Sequence, residues 1–346
     1  MTTRDGGRDV IREADAQASP DAAQDTAQDA GNGGVPNPAG QEFPHHDHSA
    51  DAAVAAMSTV PVVTNGTDSG PAPGFRPGAT LPIRVELARQ LHRRRTQVAL
   101  GFMVLLPAIL AAAFALGSDS GSTRSTFVDL AQAGAANFAM VTLFFAASFL
   151  LIVIVSLFFG DTIASEASWS SLRYLLAMPV PRIRLLRQKF VVAALLSAAA
   201  IVLLAGVAAA IGVVAYGTGP LTTPTGESFA GWGAAGRMAL VVAYIAVQLA
   251  WVAGLAFLMT VSTDVPLGAV GSAVLLSIVS QILDQITALG SLRNWLPTHY
   301  SFSWTGALVD PINWADMTRG AFSSIAYGVL LTALAFWRFR RKDITS

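Results

Sequence analysis

After residue 97 the chain alternates between six long apolar runs and short polar connections. The runs fall at about 98–116, 137–159, 191–216, 238–261, 266–282 and 321–337. Most approach the ~20 residues that a helix needs to cross a hydrocarbon core of roughly 30 Å. The fifth is among the shortest. The second has LFFAASFLLIVIVSLFF at its heart, and the first contains Pro107. The pattern predicts an all-α membrane protein with six transmembrane helices.

Residues 81–97, LPIRVELARQLHRRRTQ, read differently. Ile83, Leu87 and Leu91 recur every four residues with Ala88 beside them, while Glu86, Arg89 and Arg93 point the other way. Such spacing predicts an amphipathic helix lying in the membrane interface with its arginines at the headgroups. The cluster Arg93, Arg94 and Arg95 immediately precedes the first run and marks that side as cytoplasmic.

Residues 1–80 have the opposite character. They are rich in Ala, Asp, Gly, Gln and Pro, with a small repeat in DAAQDTAQDA, and hold eleven acids against four arginines. So little apolar surface cannot offset the entropy of ordering, so the segment is expected to be a disordered acidic cytoplasmic tail. It lacks the apolar core of a signal peptide. HHDH at His45–His48 is a weak metal-binding patch at most, and no resident metal is expected. The zero net charge of the whole chain hides this asymmetry, because the remainder carries eighteen basic residues against eleven acids.

Charge also orients the runs. The 81–97 helix, the 160–190 stretch and the C-terminal tail with Arg338, Arg340, Arg341 and Lys342 hold most of the basic residues. The remaining connections and their edges hold only Arg124, Arg237, Arg293 and Arg319. This imbalance predicts a multi-pass protein of the inner (plasma) membrane with both termini cytoplasmic. The largest outer segment, 283–320, spreads Trp295, Tyr300, Phe302, Trp304 and Trp314 along its length, which predicts that it dips back to the outer membrane surface.

The 160–190 stretch, GDTIASEASWSSLRYLLAMPVPRIRLLRQKF, is the densest mixture of charge and aromatic residues between two runs. Gly160 is expected to close the second run. Asp161 is placed to cap a following short helix, where a carboxylate meets free backbone N–H groups. Glu166 and Arg173 lie two turns apart, and Pro179 and Pro181 end that helix. Trp169 and Tyr174 are too large and apolar for an idle connector, so Glu166–Tyr174 is expected to be a protein-docking surface. Arg182, Arg184, Arg187 and Lys189 then return at headgroup level, as Arg93, Arg94 and Arg95 do; setting topology would by itself explain them.

Several chemistries are excluded. The only lysines are Lys189 and Lys342, and neither sits in a phosphate-cradling Gly-x-x-x-x-Gly-Lys-Ser/Thr loop. There is no cysteine, no His-Glu-x-x-His and no Gly-x-Ser-x-Gly, so the chain is not expected to be an enzyme, to catalyse anything itself or to carry a cofactor. The runs are nearly free of ionisable residues, with Asn137, Gln248 and Gln281 their main polar groups. Ion-coupled transporters place Asp, Glu, His or Arg inside the membrane, so any energy for transport is expected to come from outside the bilayer. The amides read as helix–helix glue.

At this point the sequence resembles the permease subunit of type-2 ATP-binding-cassette (ABC) transporters. The likeness rests on Gly-Asp-x-Ile-x-x-Glu followed by Leu-Arg-x-Leu-Leu-x-x-Pro-Val-x-Arg-x-x-Leu-x-x-x-Lys. Here the pattern stands as Gly160, Asp161, Ile163, Glu166, Leu172, Arg173, Leu175, Leu176, Pro179, Val180, Arg182, Leu185 and Lys189. The interfacial helix, six spans and an ending of the form FWRFRRKDI belong to the same resemblance, which covers roughly 81–346. Where the family has Gly-Thr before Leu-Arg, this chain has Ser170-Ser171.

The resemblance implies a dimer of six-span subunits, with the second permease subunit identical or different. It implies that each docks on a cytoplasmic ABC ATPase subunit through a coupling helix carrying Asp161, Glu166, Trp169, Arg173 and Tyr174. Membrane lipid is the other expected partner, and nucleic acid is not one. The function so implied is transport, with export the commoner direction. The alternative is a non-transporting membrane scaffold or assembly factor, which the acidic tail would suit.

Overall fold

A computed structural model describes residues 82–117, 127–168, 182–223 and 226–341. The chain is mostly helical, in keeping with an environment where backbone groups must bond within their own segment. A short helix, α1 (Ile83–Leu91), precedes α2 (Arg94–Gly117). After α3 (Phe127–Gln132) come α4 (Ala135–Ser148) and α5 (Leu150–Ser168). The long α6 (Arg182–Tyr216) leads to a two-stranded antiparallel hairpin, β1 (Leu221–Thr222) and β2 (Ser228–Phe229), with Leu221 opposite Phe229. Then follow α7 (Gly231–Gln248), α8 (Ala250–Ser262), α9 (Pro266–Gln285) and α10 (Trp314–Arg341), with two 3-10 turns at Thr287–Trp295 and Ser303–Leu308 before the last.

Five of these helical stretches are long and apolar enough to cross a membrane: Arg94–Gly117, Ile183–Tyr216, Gly231–Ser262, Pro266–Gln285 and Trp314–Arg341. The second of the six apolar runs differs from expectation. It is not one rod but α4 and α5, bent by 56° at a break where Phe149 leaves helical geometry (φ −144°, ψ −55°). No Pro or Gly occurs in 137–159 to announce the bend. Gln281 Nε2 on α9 donates to the Ser148 carbonyl at 3.2 Å, giving a backbone acceptor beside the break a partner inside the protein.

Helices α5 and α8 form the middle of the assembly. α5 packs on α6, α8 and α9, while α8 also packs on α9 and α10. Leu151, Val155, Ile163, Val252, Phe257 and Val261 are buried there. The closest crossing is between α8 and α10: a Cβ added at Gly254 would lie 2.6 Å from the Gly328 carbonyl oxygen, and one added at Gly328 would lie 2.8 Å from that of Ala250. Only hydrogen at both positions lets the two backbones touch. Ser324 Oγ, one turn before Gly328, lies within hydrogen-bond distance of the Gln248 and Val247 carbonyls at 2.7 and 3.0 Å.

The connections after α2, after α6 and between α9 and α10 gather at one end. Asn137 exchanges hydrogen bonds with Thr222, Arg237 donates to the Ala307 and Val309 carbonyls, and Gln248 Nε2 donates to Pro297 O. Asn137 and Gln248 thus tie helices to these connections. The 283–320 segment folds over this end with Trp304 buried in it and Trp295 and Trp314 exposed.

Candidate functional site

At the opposite end, five carboxylate-to-cation linkages join elements distant in sequence, and they involve residues that the sequence singled out for other roles. α1 is only nine residues long, and α2 starts after a break at His92–Arg93. The break places Arg89 on one side and Arg93 and Arg95 on the other. α5 supplies Asp161 and Glu166, one turn and a half apart, and α6 supplies Lys189 from its third turn.

Two sub-clusters result. In the first, Glu86 accepts from Arg89 Nη2 at 2.6 Å and Arg89 Nε at 2.9 Å, from Gln90 Nε2 at 3.1 Å and from Lys189 Nζ at 3.4 Å. Glu166 Oε1 accepts from Arg89 Nη2 at 2.8 Å and from Lys189 Nζ. In the second, Asp161 accepts from Arg95 Nη1 and, at 3.3 Å, from Arg93 Nη1, which also reaches Ser165 Oγ at 3.4 Å. Lys189 and Glu166 are only 2% and 3% exposed, and Glu86 and Asp161 are buried as well. Burial pushes the Glu86 carboxyl up, but the Arg89 hydrogen bond, the charges of Lys189 and Arg89, and the Gln90 amide outweigh it and hold its pKa at about 2. Arg89 moves the other way: the Glu86 hydrogen bond raises it above the usual guanidinium range, burial opposes, and Glu166 adds to the rise.

Several expectations are corrected by this geometry. Asp161 does not cap a new helix. α5 runs without interruption through Gly160 to Ser168, and the Asp161 carboxylate meets arginines rather than free N–H groups. Gly160 does not end a span but allows a close approach: a Cβ there would lie 2.9 Å from Val270 Cγ2 and 3.2 Å from its backbone nitrogen. Lys189 is enclosed by protein rather than exposed as Arg187 is. The amphipathic segment 81–97 is two helices, and α1 turns polar side chains as well as Leu87 toward the protein. Glu86 and Gln90 face the protein, whereas Ile83, Val85 and Leu91 are exposed, Ile83 by 43%. A carboxylate that finds three cationic or amide donors gains more by facing them than Ile83 gains by packing.

The other sequence-singled residues divide into three groups. Arg94 and Arg187 are exposed and Arg184 is half-buried. Trp169, Arg173 and Tyr174, with Pro179, Pro181 and the Arg182 side chain, lie outside the described residues, as do the 1–80 tail, His45–His48 and Lys342. Glu86 and Arg89 belong to the cluster but were read, with Arg93, as an outward polar face, and Gln90 joins them there. Their signal was the surplus of opposite charge at the start of α2 and of α6, which no single-helix projection contains.

A second link fixes α5 from behind. Thr260 Oγ1 on α8 accepts from the backbone N–H groups of Ile163 at 3.1 Å and Ala164 at 2.9 Å. The charged end of α5 is therefore held by α1 and α2 on one side, α6 on another and α8 on a third. Together these contacts tie the end of α5 to α1, α2, α6 and α8.

A search among curated proteins finds no match to this sequence. Residues 102–345, covering α2 to α10, match the family described as protein of unknown function DUF2705, and the chain belongs to that family.

Proposed function

We propose that the chain is the membrane-spanning permease subunit of an ABC exporter, driven by a separate cytoplasmic ATPase subunit. In this reading the bent pair α4–α5 is one crossing, so there are six, and the charged end faces the cytoplasm of an inner (plasma) membrane protein with both termini on that side. The segment 169–181, with Trp169, Arg173 and Tyr174, is where the ATPase docks. Asp161 and Glu166 do not touch it but anchor the helix from which it springs. The protein works as a dimer of two such subunits.

The observation that carries the reading is the anchoring itself. A connector that only joined two spans would not need Glu166, Lys189 and Glu86 buried in protein and joined there to the half-exposed Arg89. A lever that transmits displacement from outside the bilayer does, because force on 169–181 then moves α5, α6 and α1 as one body. The ionisable residues of the described membrane helices also sit near helix ends, which supports an energy source outside the membrane.

The test is to purify the chain under mild conditions, identify a copurifying Walker-loop ATPase and reconstitute the complex in vesicles. ATP-dependent transport is expected, with Trp169→Ala and Arg173→Ala lowering it while the complex remains assembled. A chain that copurifies with a membrane assembly in the absence of any ATPase, and is indifferent to both substitutions, would instead be a scaffold.

A further inference from the structure

A cavity of about 560 Å³ opens between α6 and α10, with α5 and α8 as its floor. It is lined almost wholly by apolar and small side chains, among them Phe190, Ala198 and Ile201 on α6 and Ile325, Val329 and Phe336 on α10. Ile325 and Val329 are exposed, so the cleft opens sideways from the helix bundle. α6 and α10 scarcely touch otherwise.

Its length is informative. The lining runs from Phe190 to Ile201 on one wall and from Phe336 back to Ile325 on the other. Eleven residues of helix rise about 16 Å. That is close to half of a roughly 30 Å hydrocarbon core, the depth of one leaflet. One end of the cleft is closed by aromatic rings, Phe190 to Phe257 at 5.1 Å and Phe257 to Phe336 at 5.9 Å, which puts Phe190 and Phe336 at the same level. This is also the end nearer the charge cluster, since Lys189 adjoins Phe190.

Just beyond this aromatic end stand two arginines. Arg187 precedes Phe190 by three residues and Arg340 follows Phe336 by four, so each lies on the same helix face as its phenylalanine, one turn further out. Both are exposed, and neither has an ion pair among the described residues. Three carboxylates at this end, Glu86, Asp161 and Glu166, are occupied by Arg89, Arg93, Arg95 and Lys189. An apolar slot one leaflet deep, headed by two cations without a counter-ion among the described residues, has the form of a lipid.

We propose that this cleft holds one acyl chain of an anionic phospholipid, with its phosphate bound by Arg187 and Arg340. The site goes beyond the transport reading and does not depend on it. The lipid fills the gap between α6 and α10 and fixes their separation.

The experiment is native mass spectrometry and thermal unfolding of the full chain in micelles with phosphatidylglycerol, phosphatidylcholine or glycerol phosphate added. Phosphatidylglycerol is expected to be retained over phosphatidylcholine by on the order of tenfold, given two headgroup arginines, and to raise the unfolding temperature. Glycerol phosphate should do neither. Arg187→Gln with Arg340→Gln, both surface changes, should remove the preference for the anionic lipid, and Ala198→Phe should reduce retention of both lipids. Equal retention of the two lipids by the unaltered chain, or a preference indifferent to the arginine changes, overturns the proposal. So does a glycerol phosphate effect equal to that of the lipid, or an Ala198→Phe chain that loses its dimer while lipid retention is unchanged, which would make the cleft a contact between copies.

Discussion

Lys189 Nζ meets the Glu166 carboxylate where neither side chain reaches solvent, and the two come from helices separated by the connection 169–181. The pair therefore closes a loop: the last turn of α5 and an early turn of α6 are tied across the base of the segment proposed to receive an ATPase. Its strength depends on completeness. Taking one partner away leaves the other charge enclosed, which typically costs about 3–5 kcal/mol, whereas an apolar replacement of both can be nearly neutral. Lys189→Met and Glu166→Gln are each expected to lower the unfolding temperature in micelles markedly. Lys189→Met with Glu166→Met should be less destabilised than the sum of its single changes. Additive losses would show that the two groups do not act as a pair.

Acid should loosen α1 before the rest. The Glu86 pKa, about 2 against an ordinary 4.5, is depressed in the folded chain. A depressed carboxylate contributes stability in full above its unfolded value, and the contribution disappears as pH falls through the folded value. The window is therefore from about 4.5 down to about 2, and the contribution at neutral pH is about 3 kcal/mol at 1.36 kcal/mol per pKa unit. Hydrogen exchange of α1 amides should rise across that window. Glu86→Gln should show fast exchange already at neutral pH and little further change on acidification; an α1 that stays equally protected in the unaltered chain from pH 5 to 2 would contradict the assignment.

Much of the helical framework was legible because the apolar runs 98–116, 191–216, 238–261, 266–282 and 321–337 all coincide with helices, most of them extended at the ends. Lipid leaves a long apolar stretch few other conformations. The bend at Phe149 was not legible, because no local Gly or Pro marks it and the Gln281 amide that meets the Ser148 carbonyl beside it comes from another helix. Likewise the hydrophobic face of α1 was visible in the sequence, but not its direction. For a helix at an interface, Ile83 has lipid available on the outside, and only the arrival of Lys189 and Glu166 from far along the chain decides that Glu86 turns inward. Asp161, Glu166 and Lys189 were found by their unusual position beside apolar runs, yet their partners required the tertiary fold. The α8–α10 contact had a sequence signal that was not used: Ala250 and Gly254, and Ser324 and Gly328, are two small-x-x-x-small pairs.

Those pairs make a sharp mutational test. With Gly254 facing the Gly328 carbonyl oxygen at 2.6 Å from a would-be Cβ, the obstacle is backbone, which cannot rotate away as a side chain can. Gly254→Ala and Gly328→Ala should each push α8 and α10 apart and destabilise the fold by about 1–3 kcal/mol, the usual cost of overpacking. The double change should cost less than the sum, since helices already separated by the first methyl accommodate the second. By contrast Gly206→Ala, at a helical position with nothing within 4 Å of the added methyl, should be neutral or slightly stabilising. Equal effects at Gly206 and Gly254 in a thermal unfolding assay would mean that helix propensity, not the crossing, governs both.

Asn137 offers the corresponding test at the other end. It is 1% exposed, its Nδ2 donates to Thr222 O at 2.9 Å and lies 2.7 Å from Thr222 Oγ1, and its Oδ1 accepts from Thr222 N at 2.9 Å. One side chain on α4 thus satisfies both backbone groups of a residue in the β1–β2 hairpin. Asn137→Leu fills nearly the same volume but leaves the Thr222 N–H and C=O without these partners, at about 1–3 kcal/mol for a buried group left unmade. Asn137→Asp keeps the acceptor for Thr222 N and loses the donor, so a smaller loss than Leu is expected at low pH, where the protonated acid restores a donor, and a larger one at neutral pH, where a buried carboxylate faces the Thr222 carbonyl. Proteolysis of the 217–230 segment under native conditions reads the effect, because this amide, with the Ala135 N–H to Gly217 carbonyl bond at 3.0 Å, holds it on α4. If Asn137→Leu leaves the hairpin as resistant as before, the packing of Leu221 against the core, and not the Asn137 bridge, is what keeps it in place.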